Sequence, residues 1–256
     1  MEIKPYWDQR AGTDGAKATT DDIHMRVLER RTLIEQLRRL NCGDHSRVLD
    51  AGCGDGQTLF ALAGAFKSNF VGRDFAPGMI DVAKARLAAN PDSRLEFAVG
   101  DVREVAQTFG DKAFDFITTD RCLINLESDE EQYGAIEGIA RALKPGGSYL
   151  CIENFIEGNE KLNELRAFYG LKPIEIRWHN RFFREADFAP SMSRLFSKVE
   201  KFEFSSSYYF ATRVVYSRLC AVDGTTPDYN HPIHAESVNL PPFGDFSPIK
   251  LYVLTK

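Results

Sequence analysis

Val48-Leu49-Asp50-Ala51-Gly52-Cys53-Gly54-Asp55-Gly56 decides how this chain folds. Two apolar residues run into an aspartate, and three glycines follow on alternate positions. Residues 46–51 read as a short apolar strand and residues 57–66 as a helix. Between them the backbone is bare enough to turn tightly and to approach a ligand without side chains in the way. The helix that follows offers unpaired N–H groups at its start. A tight strand–helix turn with no ligand is the plainer reading of such glycines, so the neighbouring elements must decide.

Working outward, strands and helices alternate. Strands are predicted over 69–74, 94–99, 114–119 and 148–153, and helices over 77–89 and 130–143. The turn Lys144-Pro145-Gly146-Gly147 leads into the fifth strand. This alternation predicts parallel strands joined by right-handed helical crossovers, an α/β doubly wound sheet. Upstream, Ile23, Val27, Ile34 and Leu37 recur at helical spacing, with Asp21 or Asp22 as N-cap. Residues 1–20 read as irregular. Beyond the fifth strand, 156–195 combine a helix over 160–169 with a loop rich in Arg, Trp, His and Phe. A strand is expected over 198–205, a helix over 208–219, a long polar loop over 221–248 and a last strand over 250–255.

Composition bounds the function. The 256 residues suffice for one domain with an insertion, and 43% hydrophobic with 27% charged residues is ordinary for a globular protein. A formal net charge of -5 gives no electrostatic case for nucleic acid. No apolar run is long enough to span a bilayer, and MEIKPYWDQRAG is no signal segment. The five scattered cysteines form no C-x-x-C pair, which fits a reduced, cytoplasmic setting. His231-Pro232-Ile233-His234 is the only close histidine pair, and its proline makes a poor ligand set, so no metal is expected.

Ligands of an open parallel sheet bind beyond the carboxyl ends of the strands. Asp50 closes the first strand there. Asp74 closes the second, at roughly the twenty-residue distance where nucleotide-binding folds keep an acid for ribose hydroxyls. Asp101 follows the third strand and Asp120 the fourth. Acids at successive strand ends suit hydroxyls and an exocyclic amine. They suit a pyrophosphate badly, which argues against a dinucleotide dehydrogenase.

Taken in order, "VLDAGCGDG", "VGRDFAPGMI", "AVGDVREV", "FDFITTDRCLINL" and "ALKPGGSYLCIE" resemble the class I S-adenosylmethionine-dependent methyltransferases over residues 45–155. The resemblance implies a mostly parallel, seven-stranded Rossmann-like sheet with an antiparallel terminal strand. It also implies the roles. Asp50 and the loop of Gly52, Cys53, Gly54 and Gly56 would cradle the methionine and ribose parts of the cofactor. Asp74 would hold the ribose hydroxyls, with Phe75 and Met79 beside the adenine. Asp101 would take the adenine amino group, with Val102 on the ring. Asp120 and Arg121 would line the methyl end. Segments such as "RCLINL" and "WHN" resemble, more loosely, a bacterial subgroup acting in surface-glycan and other small-molecule pathways.

The whole chain is then expected as one methyltransferase domain. Residues 1–41 form a lid and helix, 45–155 the cofactor core, 156–197 a substrate-side insertion, and 198–256 the C-terminal strands and long loop. Tyr6, Trp7 and Arg10 read either as a tail or as the lid, with aromatic rings over the sulfonium and Arg10 on the cofactor carboxylate. The expected acceptor is a small molecule, such as a sugar or other metabolite hydroxyl, methylated on oxygen without a metal. His179 is the candidate base, with Glu153 to orient or replace it. The alternatives are an N-methyltransferase of a small amine and a cofactor-binding protein without turnover. Neither nucleic acid nor membrane is an expected partner; a homodimer is.

Overall fold

The computed structural model describes residues 3–12 and 20–256; the remainder of the irregular stretch expected over 1–20 lies outside the described residues. Among the described residues there are seven strands: β1 (Arg47–Ala51), β2 (Asn69–Asp74), β3 (Leu95–Val99), β4 (Phe114–Asp120), β5 (Leu143–Asn154), β6 (Lys198–Phe202) and β7 (Ile249–Thr255). The helices are α1 (Ile3–Ala11), α2 (Ile23–Arg39), α3 (Gln57–Ala65), α4 (Pro77–Ala89), α5 (Val105–Phe109), α6 (Asp129–Ala142), α7 (Ile156–Phe168), α8 (Glu185–Leu195), α9 (Ser206–Tyr209), α10 (Tyr216–Val222) and α11 (Pro232–Ser237). A π-helical turn, Phe210–Val215, joins α9 to α10.

The strands form one sheet in the order β3-β2-β1-β4-β5-β7-β6. All are parallel except β7, which runs antiparallel to both β5 and β6. The order reverses between β1 and β4, and that switch point opens a crevice at the carboxyl ends. Successive strand residues point to opposite faces, so both faces carry a core. Val48, Phe70, Phe97, Leu150 and Val253 pack beneath α2, α3 and α4. Leu49, Val71, Ile117, Tyr149 and Leu254 pack against α5, α6 and α8. Among the described residues no helix is long and apolar enough to cross a membrane.

Several boundaries differ from expectation, each for a local reason. The irregular opening contains α1, whose Asp8 carboxylate accepts the Gly78 N–H (3.2 Å) at the start of α4. Asp22, not Asp21, caps α2 by accepting from Met25 N (3.1 Å). The Lys144–Gly147 turn is absorbed into β5 as a register shift, since Phe114 faces Leu143 and Phe116 faces Ser148. The loop expected in the insertion holds α8, which buries Phe188 and Met192 one turn apart despite Pro190 inside it. The long C-terminal loop holds α11, started by Pro232 and capped by His231.

Candidate active site

A cavity of about 240 Å³ lies at the switch point, beyond the ends of β1, β2, β4 and β5. Its floor begins with the glycine loop. Gly52, Gly54 and Gly56 all have positive φ (81°, 52° and 80°), which side-chain-bearing residues avoid. At Gly52 a Cβ would stand 2.4 Å from Cys122 Sγ, so the β1 and β4 loops pass too closely for any side chain. Asp74 ties the loop to β2: its carboxylate accepts from Gly54 N (2.8 Å) and Ala76 N (2.9 Å). Burial pushes its pKa up to about 6 despite those bonds. Phe75 and Met79 continue the wall. Asp50, expected in the cofactor cradle, is not part of the lining; it accepts from Thr118 Oγ1 (2.8 Å), and burial pushes its pKa up to about 7.

The end of β4 carries a buried charge cluster. Asp120 meets Arg26 of α2 at 2.5 Å, Arg26 also reaches Glu29 at 3.2 Å, and Arg121 Nε meets Glu29 at 2.9 Å. Arg121 holds a φ of 54°, a strained conformation for a non-glycine residue that this ion pairing helps to hold. Burial pushes Glu29 up to about 7 against the pull of both arginines. The next turn is fixed by Glu153. Its carboxylate accepts from the backbone N–H groups of Cys122 (3.1 Å), Leu123 (3.0 Å) and Ile124 (3.3 Å). Burial pushes Glu153 up to about 7. Because it is fully buried against that turn, it does not reach the cavity, which corrects its expected place beside the reacting groups.

His179 does line the cavity. Its ring is held by Tyr6 (4.6 Å between centroids), Trp178 (5.2 Å) and Trp7 (6.0 Å). Burial, then the Arg177 and Arg10 charges, lower its pKa from the usual histidine value. Trp7 itself lines the cavity and donates from Nε1 to Asn125 Oδ1 (3.3 Å). Tyr6 stands behind His179 instead, and Arg10 pairs with Asp21 at 3.4 Å outside the lining.

The remaining wall comes from segments far apart in sequence. Asp22 at the start of α2 pairs with Arg213 of the π-helical turn and accepts from Tyr208 Oη (2.6 Å). Burial opposes ionisation of Asp22, but Arg213 and Tyr208 outweigh it and hold the carboxyl below its usual range. The Arg213 guanidinium lies over Tyr229 (4.8 Å) and Tyr209 (5.7 Å). Tyr208 Oη also bonds His234 Nδ1 (2.9 Å), and His231 stacks on Tyr216 (4.4 Å).

The cavity therefore brings together Trp7, Gly52, Gly54, Asp74, Phe75, Met79, Asp120, Arg121 and His179 among the expected residues. Cys53 and Gly56 lie within the loop but behind its surface. Asp101 caps the turn Val102–Glu104 and is gripped by Arg103 (2.6 Å), and Val102 packs into the core, so neither reaches the cavity. The sequence analysis names none of Arg26, Asn125, Asn154, Tyr209 and Arg213 as site residues, although all line the cavity. The one signal for Arg213 was an arginine within an apolar helical stretch.

Residues 48–147 match a family described as a methyltransferase domain. The demethylmenaquinone methyltransferase of Bacillus cereus (strain AH187) is 31% identical over 121 residues, 46% of this chain and 49% of that protein. The chain thus spans about half the length of the curated relatives it matches. Among solved structures, the Haloferax volcanii protein in complex with the Trm112 methyltransferase activator superposes with a TM-score of 0.62 at 18% identity, over 99% of this chain and 97% of that one. The magnesium protoporphyrin IX methyltransferase of Synechocystis PCC 6803, with bound SAH, gives 0.60 at 16% identity, over 99% and 98%. At such identities the likeness speaks for the fold. The strand-end motifs, the strand order and the match agree: residues 48–147 are similar to a methyltransferase domain, set in a sheet with the strand order of a doubly wound fold.

Proposed function

We propose that the chain binds S-adenosylmethionine across the strand ends and transfers its methyl group to the oxygen of a small molecule. The observation that carries this reading is one cavity with a bare glycine cradle and Asp74 on one side and the His179 ring on the other. The residues fit the cofactor. Each Asp74 oxygen accepts one backbone N–H and keeps lone-pair capacity for a ribose hydroxyl. Phe75 and Met79 offer an apolar slot for a base. Arg26 and Arg121 line the cavity near the β4 end, where an amino-acid carboxylate would lie. The SAH bound by the Synechocystis protein of the same fold supports the assignment. Asp101 gives no such support, because Arg103 occupies its carboxylate.

When bound, S-adenosylmethionine would supply an activated methyl on a sulfonium, with S-adenosylhomocysteine as the group left behind. This chain's part is to hold the acceptor oxygen in line, exclude water and take its proton. His179 is suited to the last task. Burial and the Arg177 and Arg10 charges lower its pKa, which favours the neutral imidazole a base requires, and the residue lines the cavity. The rings of Tyr6, Trp7 and Trp178 fix its orientation. Trp7 and α1 close the cavity over the reacting atoms, which is the lid reading of the N-terminal segment.

The test has two arms. Calorimetry should show S-adenosylhomocysteine binding to the purified protein. Label from methyl-tritiated S-adenosylmethionine should appear in a base-stable small product of a cell extract. Binding without transfer to any acceptor would leave a cofactor-binding protein, and label on an amine would make it an N-methyltransferase.

A further inference from the structure

Glu29 of α2 is fully buried and does not line the cavity, yet it holds two side chains that do. Its carboxylate meets Arg121 Nε at 2.9 Å and Nη2 at 3.2 Å, and Arg26 Nη1 at 3.2 Å. Arg26 in turn meets Asp120 at 2.5 Å. Around this cluster, among the described residues, stand Arg30 of α2, Asp50 of β1, Tyr209 of α9 and Asp55 of the glycine loop, the last paired with Arg86 at 3.0 Å. Within it, two carboxylates share two guanidiniums in a place nearly closed to water. A third carboxylate brought against the same guanidiniums sets like charges close together at low dielectric, and one acid of such a set keeps its proton. Glu29 is the acid with no exposure, and burial already pushes it up to about 7 against the pull of Arg121 and Arg26.

We propose that Glu29 is a positioning residue that takes up a proton from solvent when the cofactor binds, so that Arg26 and Arg121 pass from Glu29 to the cofactor's amino-acid carboxylate. Glu29 itself touches no ligand. It aims the two guanidiniums in the free protein and gives up its charge when a better-placed carboxylate arrives. The sign of the pH dependence follows. Cofactor affinity is complete where Glu29 of the free protein is already protonated, below about 7, and falls as pH rises above it, by at most roughly tenfold per pH unit for one proton. The proposal rests on the placing of the cofactor carboxylate given above.

The experiment needs no methyl acceptor. Calorimetry at pH 8, in buffers of different ionisation enthalpy, counts the protons taken up with S-adenosylhomocysteine and with 5′-methylthioadenosine, which keeps the adenosine and the sulfur but lacks the amino-acid end. The unaltered protein should take up about one proton more with S-adenosylhomocysteine. Protons taken up at Asp74 appear with both ligands and cancel. Glu29→Gln fixes the neutral form, so it should abolish the extra uptake. It should also bind S-adenosylhomocysteine more tightly than the unaltered protein at pH 8, by up to roughly tenfold, and equally at pH 6. A residue that only supports the fold would weaken binding at every pH when changed. Methylthioadenosine affinity reports folding; if Glu29→Gln fails that check, the uptake by the unaltered protein decides alone. Equal uptake with both ligands, no uptake, or a variant weaker at every pH overturns the role of Glu29 and leaves cofactor binding standing. Absence of S-adenosylhomocysteine binding to the unaltered protein overturns the cofactor reading, and this one with it.

Discussion

Across the cavity, one wall is built from strand ends between residues 52 and 122 and the other from side chains gathered between residues 7 and 249. The strand-end wall is held by main chain. Gly54 and Ala76 donate to Asp74, and each residue follows directly from its own strand. The opposite wall is held by side chains: the Asp22–Arg213 pair, the Tyr208–His234 bond, and the rings around His179. Main-chain bonds fix a position within its own βα unit. Side-chain contacts fix it only after β7 and β6 have joined the sheet and the C-terminal loop has docked. Changes to the first wall should therefore damage cofactor binding or the fold, and changes to the second should damage turnover.

The largest effect should come from the gathered wall. His179→Ala is expected to lower turnover by about 10²–10⁴ while S-adenosylhomocysteine affinity barely moves. With the unaltered protein, a base must be deprotonated, so kcat/KM should rise with pH and level off. The midpoint should lie below the ordinary histidine value of roughly 6.5, because burial and the two arginines favour the neutral ring. A matching loss of cofactor affinity would erase the distinction between the walls.

Gly52→Ala tests the other side. The added Cβ meets Cys122 Sγ at 2.4 Å and Cβ at 2.6 Å, at a φ of 81°. A loss of about 2–4 kcal/mol in denaturant stability is expected, from overpacking together with backbone strain. Adding Cys122→Gly should recover the overpacking part but not the strain. Full recovery would mean that the conformation at residue 52 is unstrained. Asp74→Ala should follow, weakening S-adenosylhomocysteine by about 1.5–3 kcal/mol, the scale of hydrogen bonds to a charged group. Unchanged calorimetric affinity would remove Asp74 from the site.

Glu153→Gln should have a smaller effect, and on the fold. An amide N–H would replace one acceptor facing the turn, at about 1–2 kcal/mol. Glu153 is pushed up to about 7, above the roughly 4.3 of an unfolded glutamate. The folded state thus binds the extra proton, and the stability this gives is complete below the unfolded value and lost as pH rises through 7. The variant should lose that slope, read from denaturation midpoints at pH 5 and pH 8. A turnover loss as large as that of His179→Ala, at unchanged stability, would return Glu153 to the chemistry. Least of all, amide exchange in α1 should slow when S-adenosylhomocysteine is added, if Trp7 closes over it.

How far the sequence could be read follows the same division. The glycine loop, Asp74, Phe75, Met79, Asp120 and Arg121 were legible because each is placed by the strand it ends, and strands announce themselves by apolar runs and turn residues. The helices missed had weaker signals. Proline interrupts α8, and α1 takes its place by docking Asp8 onto α4 rather than from an apolar stripe of its own. Position along the chain also misled at two acids. Asp101 stands at a strand end as expected, yet Arg103 two residues on draws its carboxylate aside. Glu153 stands at another, yet three N–H groups of the β4 turn capture it.

The sequence by itself determined the doubly wound sheet, the switch point and the residues at the strand ends, because period-two apolar strands and helical crossovers leave few ways to pack. Only the tertiary structure decided which side chains face the cavity. It set Trp7 on the lining and Tyr6 behind His179, and it brought Asp22, Asn154, Arg213 and Tyr229 to one wall from four separate segments. The physical reason is that a loop side chain turns toward the best hydrogen-bond, ion-pair or ring partner within reach. Those partners come from elements distant in sequence, brought near only when the sheet closes through β7.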